Sequence, residues 1–221
     1  MTEKLHYDFD LRLEVPSNAH GLQFALIPEH SRVLDVGCGT GIIGAELQKR
    51  KACLVDGVDF DEQALPVAST RLHRVSGANL DERDWAEHLK LEGLKGYDIV
   101  IFGDVLEHTL EPENVLREAK ALLAPNGRVI LSIPNVAYFT VRLRMLFGKF
   151  NYEESGILDR NHLRFFTLAT ARAMVSRAGY SIVSQQYASF VLPWGRPMPR
   201  WLMRMFPGLL AAGFIFEAKP V

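Results

Sequence analysis

The turn DVGCGTGIIG, residues 35–44, holds the residue types best suited to binding a small ligand. Its glycines permit positive φ angles and let the backbone approach a ligand closely. A helical pattern follows the turn, and the first N–H groups of a helix are free to bind. A carboxylate, Asp59, comes roughly twenty residues later, where dinucleotide sites place a ribose-binding acid. The turn therefore predicts a site for a nucleoside-type ligand.

Asp35 stands two residues before the first glycine and discriminates between two kinds of nucleoside. A carboxylate at this position repels a pyrophosphate. It attracts a ligand that carries an ammonium and a sulfonium group, and S-adenosylmethionine (SAM) is such a ligand. The stretch GTGIIG also satisfies the dinucleotide pattern GxGxxG. An NAD-dependent dehydrogenase is therefore the alternative, and Asp35 disfavours it.

Apolar runs and helical patterns alternate through the first 134 residues, which predicts parallel strands joined by helices. Strands are predicted at RVLDV, CLVDGVD, YDIVIFG and within PNGRVILSIPN, with a weaker one near Gly77–Leu80. Helices are predicted at IIGAELQKR, DEQALPVASTRLHRV, WAEHLKLEGL and PENVLREAKALL. The ending differs: TLATARAMVSRAGY predicts a helix, and YSIVSQQY and GFIFEAK predict two strands that pair antiparallel at the sheet edge.

Four segments, VLDVGCGTG, GVDFDEQAL, YDIVIFGDVLEH and LAPNGRVILSIPN, resemble successive motifs of the class I SAM-dependent methyltransferases. The resemblance runs from about Ser31 to Ile133. It implies an α/β, Rossmann-like class I methyltransferase fold, with a seven-stranded, mostly parallel sheet, an antiparallel terminal strand and a lid insertion after strand 5. It implies one domain, 1–221, with an N-terminal cap (1–30), a cofactor-binding core (31–135), an acceptor lid (136–166) and a final helix and strand pair with a basic aromatic insertion (167–221).

The resemblance also implies SAM as the cofactor, S-adenosyl-L-homocysteine as its product, and the residues that hold it. Asp35 and the glycine-turn backbone face the methionine end, Asp59 accepts both ribose hydroxyls, and Phe60 lies against adenine. Asn79 departs from the Asp that the family usually has there. The implied cofactor-binding residues are Asp35, Gly37, Cys38, Gly39, Gly41, Asp59, Phe60, Asn79, Leu80, Asp104, Val105 and Leu106.

Methyl transfer to a hydroxyl group requires a positioned acceptor and usually a general base, for which His is the natural residue. His108 follows the fourth predicted strand, and His162 lies in DRNHLRFFT, within the lid. We predict both as catalytic residues, although His108 could simply order its loop and Glu107 is better suited to anchor a cap or loop. Asp104, Glu107 and His108 form an incomplete metal-ligand set, so no metal site is predicted.

The lid combines aromatic and basic residues, which predicts an acceptor pocket. Tyr138, Arg142 and Arg164 are predicted to bind the acceptor, with Arg164 able to hold a carboxylate or phosphate by two donors. Phe165 and Phe166 are predicted to anchor the lid on the sheet. SIPNVAY followed by DRNHLRFFT resembles a methyltransferase subgroup that includes the methionine-biosynthesis W-type proteins and domains associated with glycan biosynthesis.

These observations predict a SAM-dependent methyltransferase (EC 2.1.1 class) of a small molecule, acting by O-methylation of an anionic, glycan- or isoprenoid-linked acceptor. The W-type resemblance leaves a second function open, that of a cofactor-binding regulatory partner of a biosynthetic enzyme. Nucleic acid is not predicted as a partner, because the sequence has no base-holding motif and no added recognition domain.

The composition is that of a globular protein, with 48% hydrophobic and 23% charged residues. No signal peptide or spanning apolar run is predicted, and two cysteines without metal-ligand spacing favour the cytoplasm. The net charge of -1 conceals an excess of Arg and Lys after Val136. Segment 193–210, with two Trp and three Arg, predicts a peripheral membrane contact, a substrate-access flap or a homodimer contact.

Overall fold

A computed structural model describes residue 13, residues 17–190 and residues 198–221 of the chain. Seven strands form one sheet in the order β3-β2-β1-β4-β5-β7-β6. β7 runs antiparallel to β5 and β6, and the other neighbouring strands pair parallel. The strands are β1 Arg32–Val36, β2 Leu54–Asp59, β3 Arg74–Gly77, β4 Tyr97–Gly103, β5 Leu123–Pro134, β6 Tyr180–Ala188 and β7 Gly213–Pro220.

The helices cover both faces of the sheet. They are α1 Ala19–Leu26, α2 Ile42–Lys51, α3 Leu65–Ser69, α4 Trp85–Leu91, α5 Pro112–Ala119, α6 Phe139–Leu146, α7 Leu168–Arg177, α8 Arg200–Met205 and α9 Pro207–Leu210, with 3-10 turns at Leu106–His108 and Lys120–Leu122. Helices α4, α5 and α7 pack on one face. Helices α1 and α2 pack on the other face, together with Ala68 of α3.

Side chains of β4 alternate between two buried faces of the sheet, which explains why the strand is apolar from Ile99 to Phe102. Val100 and Phe102 join the core beneath α4, α5 and α7. Ile99 and Ile101 face the opposite core beneath α1 and α2. Because both faces are buried, the strand carries no polar alternation, as is usual for a parallel strand between two helical layers. The central strand is thereby fixed, and the residues that follow it are held at one edge of the sheet.

The predicted α/β, Rossmann-like methyltransferase fold is confirmed, including the antiparallel terminal strand and the insertion after β5. The predicted weak strand was misplaced: β3 is Arg74–Gly77, where it pairs with Asp56–Asp59 of β2. The helix predicted over DEQALPVASTRLHRV is also too long, because α3 ends at Ser69. The chain must turn after α3 to bring β3 alongside β2, which leaves no room for further helical turns.

Residues 1–12, 14–16 and 191–197 lie outside the described part of the chain, which leaves out half of the predicted cap and the start of segment 193–210. The division of the chain into cap, core, lid and final strand pair stays a prediction. Within the described ranges, no helix has the length and apolarity needed to traverse a bilayer.

Candidate active site at the carboxyl edge of the sheet

The glycine turn between β1 and α2 has the conformation that its sequence predicts. Gly37, Gly39 and Gly41 all have positive φ, at 73°, 52° and 76°. A Cβ added at Gly37 would lie 2.5 Å from Cγ2 of Val105, so the turn packs directly against the segment that follows β4. The two predicted cofactor-binding segments therefore adjoin, and only glycine fits at this contact.

The backbone amides of the turn are bound within the protein. The N–H groups of Gly37 and Cys38 donate to the Val58 carbonyl, at 2.8 and 3.1 Å, and Gly39 N–H donates to Oδ2 of Asp59 at 2.7 Å. These bonds tie the turn to the end of β2 and hold the Asp59 carboxylate in place. The predicted contact of the turn backbone with the methionine end of SAM stays a prediction.

Asp35 and Asp59 place two buried carboxyl groups beside the glycine turn, with exposed fractions of 3% and 4%. Asp59 also accepts from Asp61 N–H at 2.9 Å, so each of its oxygens has one backbone donor and a further lone pair. Burial, and then the charge of Asp59, raise the pKa of Asp35 to about 7. Two buried acids with little compensating charge suit a cationic ligand and repel a pyrophosphate.

The residues predicted to face adenine lie at the ends of β2 and β3. Phe60 directly follows β2 and is 72% exposed, which leaves its ring available to a planar ligand. Asn79 is exposed and accepts from Asp81 N–H at 3.1 Å through its side-chain oxygen. Leu80 packs partly against the core beneath α4. Their roles in binding adenine stay predictions.

Asp104 begins the turn after β4 in a left-handed conformation, with φ at 55°. Non-glycine residues rarely adopt this conformation, and it costs roughly 1–3 kcal/mol where the surrounding fold imposes it. Ser132 Oγ donates to Oδ1 of Asp104 at 2.5 Å, and His20 Nε2 lies 3.9 Å from Oδ2. Helix α1 thus meets the turn after β4, and Leu106 of that turn is fully buried.

The lid brings His162 onto the same turn. The Glu107 carbonyl accepts from the N–H groups of Leu163 and Arg164, both at 2.9 Å. This clamp sets His162 Nε2 at 3.9 Å from Oε1 of Glu107. The His162 and His108 rings meet edge to face, with centroids 4.7 Å apart. The two histidines predicted as catalytic are therefore neighbours.

Glu107 is fully buried, and neither of its carboxylate oxygens has a hydrogen-bond partner among the described residues. Burial, and then the charges of Asp104 and Asp159, raise the pKa of Glu107 well above its usual range. Burial, and then the charge of His108, lower the pKa of His162. The interpretation of Glu107 as a loop anchor holds for its backbone carbonyl, because the carboxylate forms no hydrogen bond with any other described residue.

These groups line a cavity of about 450 Å³ at the carboxyl ends of β4 and β5. Its lining residues are Ser17, Asn18, Ala19, His20, Asp104, Glu107, His108, Ser132, Pro134, Gly156, Ile157, Asp159, His162, Ala188, Ser189, Phe190, Ala212 and Gly213. The cavity volume falls within the range of small-molecule sites. No arginine or lysine is among the described lining residues.

The residues predicted to bind the acceptor lie elsewhere. Arg164 donates to the Leu110 carbonyl through Nε and Nη2, at 3.1 and 2.5 Å. Arg142 donates to the carbonyls of Ala137 and Gly208. Tyr138 is 2% exposed and packs against Phe139 and Phe190. The structure does not bring these three side chains to the cavity, because backbone carbonyls engage the two arginines and core packing holds Tyr138.

Asn135 is a structural residue of the site that the sequence did not single out. It is fully buried at the start of the lid, and its side chain donates to the carbonyls of Ala211 and Gly208 at 2.7 and 3.2 Å. Its Oδ1 accepts from Ala137 N–H at 3.0 Å. At the other end of the lid, Phe166 is buried and its carbonyl accepts from Val136 N–H, which confirms that it is an anchor. The lid is therefore fastened at both ends.

Of segment 193–210, residues 193–197 lie outside the described part of the chain. Trp201, Met205 and Phe206 are exposed, whereas Met203 is the buried residue of α8. Contact of this segment with a membrane or with a second copy stays a prediction.

Comparison with known proteins agrees with this geometry. A family model described as "Methyltransferase domain" matches residues 10–185. Curated relatives named "Ubiquinone biosynthesis O-methyltransferase" include proteins from Pseudomonas aeruginosa (strain LESB58) and Bordetella avium (strain 197N). They are 39% and 41% identical over 106 residues, which is 47% of this chain and 44% and 43% of theirs. The aligned part thus spans less than half the length of these relatives.

Solved structures with the same fold include a SAM-dependent methyltransferase from Thermotoga maritima, described as a possible histamine N-methyltransferase. It has a TM-score of 0.66 and 18% identity, over 92% of this chain and 88% of that one. A SAM-dependent methyltransferase from Mesorhizobium loti has a TM-score of 0.60 and 18% identity, over 93% and 99%. At this identity the likeness shows the fold alone. The family match covers most of the chain, and the chain belongs to the methyltransferase-domain family.

Proposed function

We propose that this chain is a SAM-dependent methyltransferase that methylates an oxygen atom of a small acceptor. The observation that carries the proposal is the pair of buried carboxyl groups, Asp35 and Asp59, beside a glycine turn at the carboxyl edge of the sheet. A ligand with cationic groups relieves the repulsion between these acids, whereas the pyrophosphate of NAD increases it. The names of the curated relatives support oxygen as the methylated atom.

Bound SAM supplies an electrophilic methyl group on a sulfonium. Asp59 is suited to accept hydrogen bonds from the ribose hydroxyls, since each oxygen keeps a lone pair beyond its backbone donor. Asp35 lies on the preceding strand, where its charge favours the ammonium group. The turn after β4 joins this half of the site to the cavity, because Val105 packs on Gly37 and Asp104 lines the cavity wall.

The cavity is suited to a hydroxyl acceptor. His108 and His162 offer ring nitrogens that can take the proton lost when the acceptor oxygen forms its new bond to carbon. Residues of α1 and of the lid form part of the cavity wall. The acids that line it disfavour an anionic acceptor, and Arg164 and Arg142 are engaged elsewhere. We therefore propose an uncharged hydroxyl on a glycan- or isoprenoid-linked molecule.

The W-type resemblance of DRNHLRFFT supports a regulatory role less well than an enzymatic one. A regulator needs the cofactor fold but has no need of a 450 Å³ cavity lined by histidines and acids. Copurification of a stable partner enzyme, together with inactivity against every acceptor, would favour the regulatory role instead.

Two measurements test the proposal. Calorimetry is expected to show micromolar binding of S-adenosylhomocysteine and none of NAD, with affinity reduced at least tenfold in Asp35→Asn and unchanged in the exposed control Glu62→Gln. Incubation with labelled SAM and a set of phenolic, glycan and prenylated hydroxyl compounds is expected to label at least one acceptor on oxygen. Binding of NAD in place of the homocysteine ligand would overturn the proposal.

A further inference from the structure

Glu107, His108 and His162 converge at the base of the cavity. One carboxylate oxygen of Glu107 and one ring nitrogen of each histidine lie within 4.8 Å of one another. Glu107 and His108 belong to the turn after β4, and His162 is brought to them by the lid clamp at the Glu107 carbonyl. Two imidazoles and a carboxylate form a common ligand set for divalent transition-metal ions.

Hydrogen bonds on the far sides of both rings determine which nitrogen is available. His162 Nδ1 lies 3.2 Å from the Ile157 carbonyl, and His108 Nδ1 lies 3.1 Å from the Asn161 carbonyl. A carbonyl oxygen only accepts, so each Nδ1 must carry the hydrogen. The neutral rings then hold their lone pairs on Nε2. Metal-binding histidines are usually fixed in this way, by a second hydrogen bond to a backbone carbonyl.

Glu107 supplies an independent observation. Its side chain is fully buried, and both of its oxygens lack a partner among the described residues. A buried carboxylate left without a donor is costly, because it loses its hydration and gains nothing in return. Asp104 and Asp159 line the same cavity and add negative charge. The Glu107 oxygens therefore have no donor among the described residues, and a cation would satisfy them together with the lone pairs of the two rings.

We propose that Glu107, His108 and His162 bind one divalent transition-metal ion, of the zinc class, at the base of the cavity. Ligand atoms around a tetrahedral zinc lie about 3.4 Å apart. His162 Nε2 and Glu107 Oε1 are 3.9 Å apart and need only a small side-chain adjustment to reach that geometry. Because both Nε2 lone pairs would then bind the ion, the ion would replace the two histidines as the group that activates the acceptor. It would keep an open position toward the cavity, where it would lower the pKa of a bound hydroxyl, whose proton would pass to solvent.

A proton shared between Glu107 and His162 is the alternative explanation for the unpartnered Glu107 oxygens, and it fits the distances less well. A direct hydrogen bond between Glu107 and His162 requires a separation of about 2.7–3.2 Å, and the observed 3.9 Å is too long. The metal proposal goes beyond the proposed methyl transfer, because metal binding is measurable without methyl donor or acceptor. Its failure would leave the binding of S-adenosylhomocysteine untouched.

The test uses the full chain after removal of metals with a chelator. Calorimetric titration with Zn²⁺ alone is expected to show one equivalent bound, and Co²⁺ is expected to give the visible absorption of a four- or five-coordinate site. His162→Ala and Glu107→Gln are expected to reduce Zn²⁺ affinity at least tenfold, which is the lower end for loss of a metal-site residue. His88→Ala, which removes an exposed imidazole on α4, is the matched control and should bind as the wild type does.

Circular dichroism and binding of S-adenosylhomocysteine establish that each variant is folded. If Glu107→Gln does not fold, His108→Ala removes a more exposed ligand and answers the same question. The proposal is overturned if the wild type binds no Zn²⁺. It is equally overturned if affinity is unchanged in both His162→Ala and His108→Ala, since the ion would then lie elsewhere.

Discussion

The amide of Gly39 donates to Oδ2 of Asp59 across 2.7 Å, and this bond joins the turn after β1 to the end of β2. A second donor, Asp61 N–H, holds Oδ1 of the same side chain at 2.9 Å. The carboxylate predicted to accept the ribose hydroxyls therefore also determines the shape of the glycine turn. Its removal should affect both folding stability and ligand affinity.

We expect Asp59→Ala to lower the free energy of unfolding by about 2–4 kcal/mol, because one buried and one partly buried amide lose a charged acceptor. Asp59→Asn keeps one acceptor oxygen and should lose roughly half as much. Urea unfolding measures the stability change, and calorimetry with S-adenosylhomocysteine measures the affinity. An Asp59→Ala protein with wild-type stability and affinity would show that neither bond matters.

Asp35 should make folding stability depend on pH. Its pKa is about 7 in the folded protein, against an ordinary value of 3.8. Above pH 4 the unfolded chain loses this proton more readily than the folded chain. Stability therefore falls as pH rises toward 7 and levels off above it. The expected loss is about 2–3 kcal/mol between pH 5 and 8.

Asp35→Asn removes the titration and should flatten this part of the profile, measured by urea unfolding at each pH. Equal slopes for the wild type and Asp35→Asn would contradict the raised pKa of Asp35.

The same carboxyl group links ligand binding to proton release. A cationic ligand favours ionised Asp35 and lowers its pKa, so binding near pH 6 should release close to one proton. Affinity for SAM should consequently rise between pH 6 and pH 8. Calorimetry in buffers of different ionisation enthalpy counts the protons. A pH-independent affinity would mean that the ligand does not change the pKa of Asp35.

Gly37→Ala tests the contact between the glycine turn and Val105. The new Cβ would lie 2.5 Å from Cγ2 of Val105, and φ at 73° adds strain of about 1–2 kcal/mol. Gly148→Ala is the matched control, because its φ is also positive, at 69°, and its surroundings are open. We expect the first variant to lose clearly more stability than the second in thermal unfolding. Val105→Ala added to Gly37→Ala should recover the part due to the clash.

Substitutions of Arg164 and of His162 should have different effects, although the two residues are only two positions apart. Arg164→Ala removes donors to the Leu110 carbonyl and should cost about 0.5–1.5 kcal/mol of stability, with no change in SAM affinity. His162→Ala removes a ring that lines the cavity and should lower turnover once an acceptor is known. Unfolding and steady-state kinetics check this pair. A selective rise in KM for an anionic acceptor in Arg164→Ala would restore its role as an anion clamp.

Local sequence patterns predicted the features that depend on neighbouring residues. The glycine turn needs positive φ at three positions, and the position of Asp35 is set by its strand. Both features could therefore be predicted from a short stretch of sequence. The boundary of β3 was missed because it depends on pairing with β2 rather than on its own weak pattern.

The contacts of the lid were not predictable for a related reason. Arg164 and Arg142 have long side chains whose partners are backbone carbonyls distant in sequence, at Leu110 and Gly208. The approach of His162 to Glu107 depends on two amides of the lid that donate to the Glu107 carbonyl. No periodicity reports such a contact. The candidate metal ligands were each visible in the sequence, but their convergence was not.

The fastening of the lid at both ends has a consequence for how the specificity of this chain can diverge. Asn135 and Phe166 hold the two ends of the lid. The Glu107 carbonyl holds Leu163 and Arg164, which follow His162. Every residue from 142 to 156 between these points is exposed. Glu153 and Gly156 are bonded to the residues just before His162, so we expect residues 145–152 to be the part that tolerates changes in length and sequence. We therefore expect that exchange of residues 145–152 alone would alter acceptor preference while the histidine cluster stays unchanged.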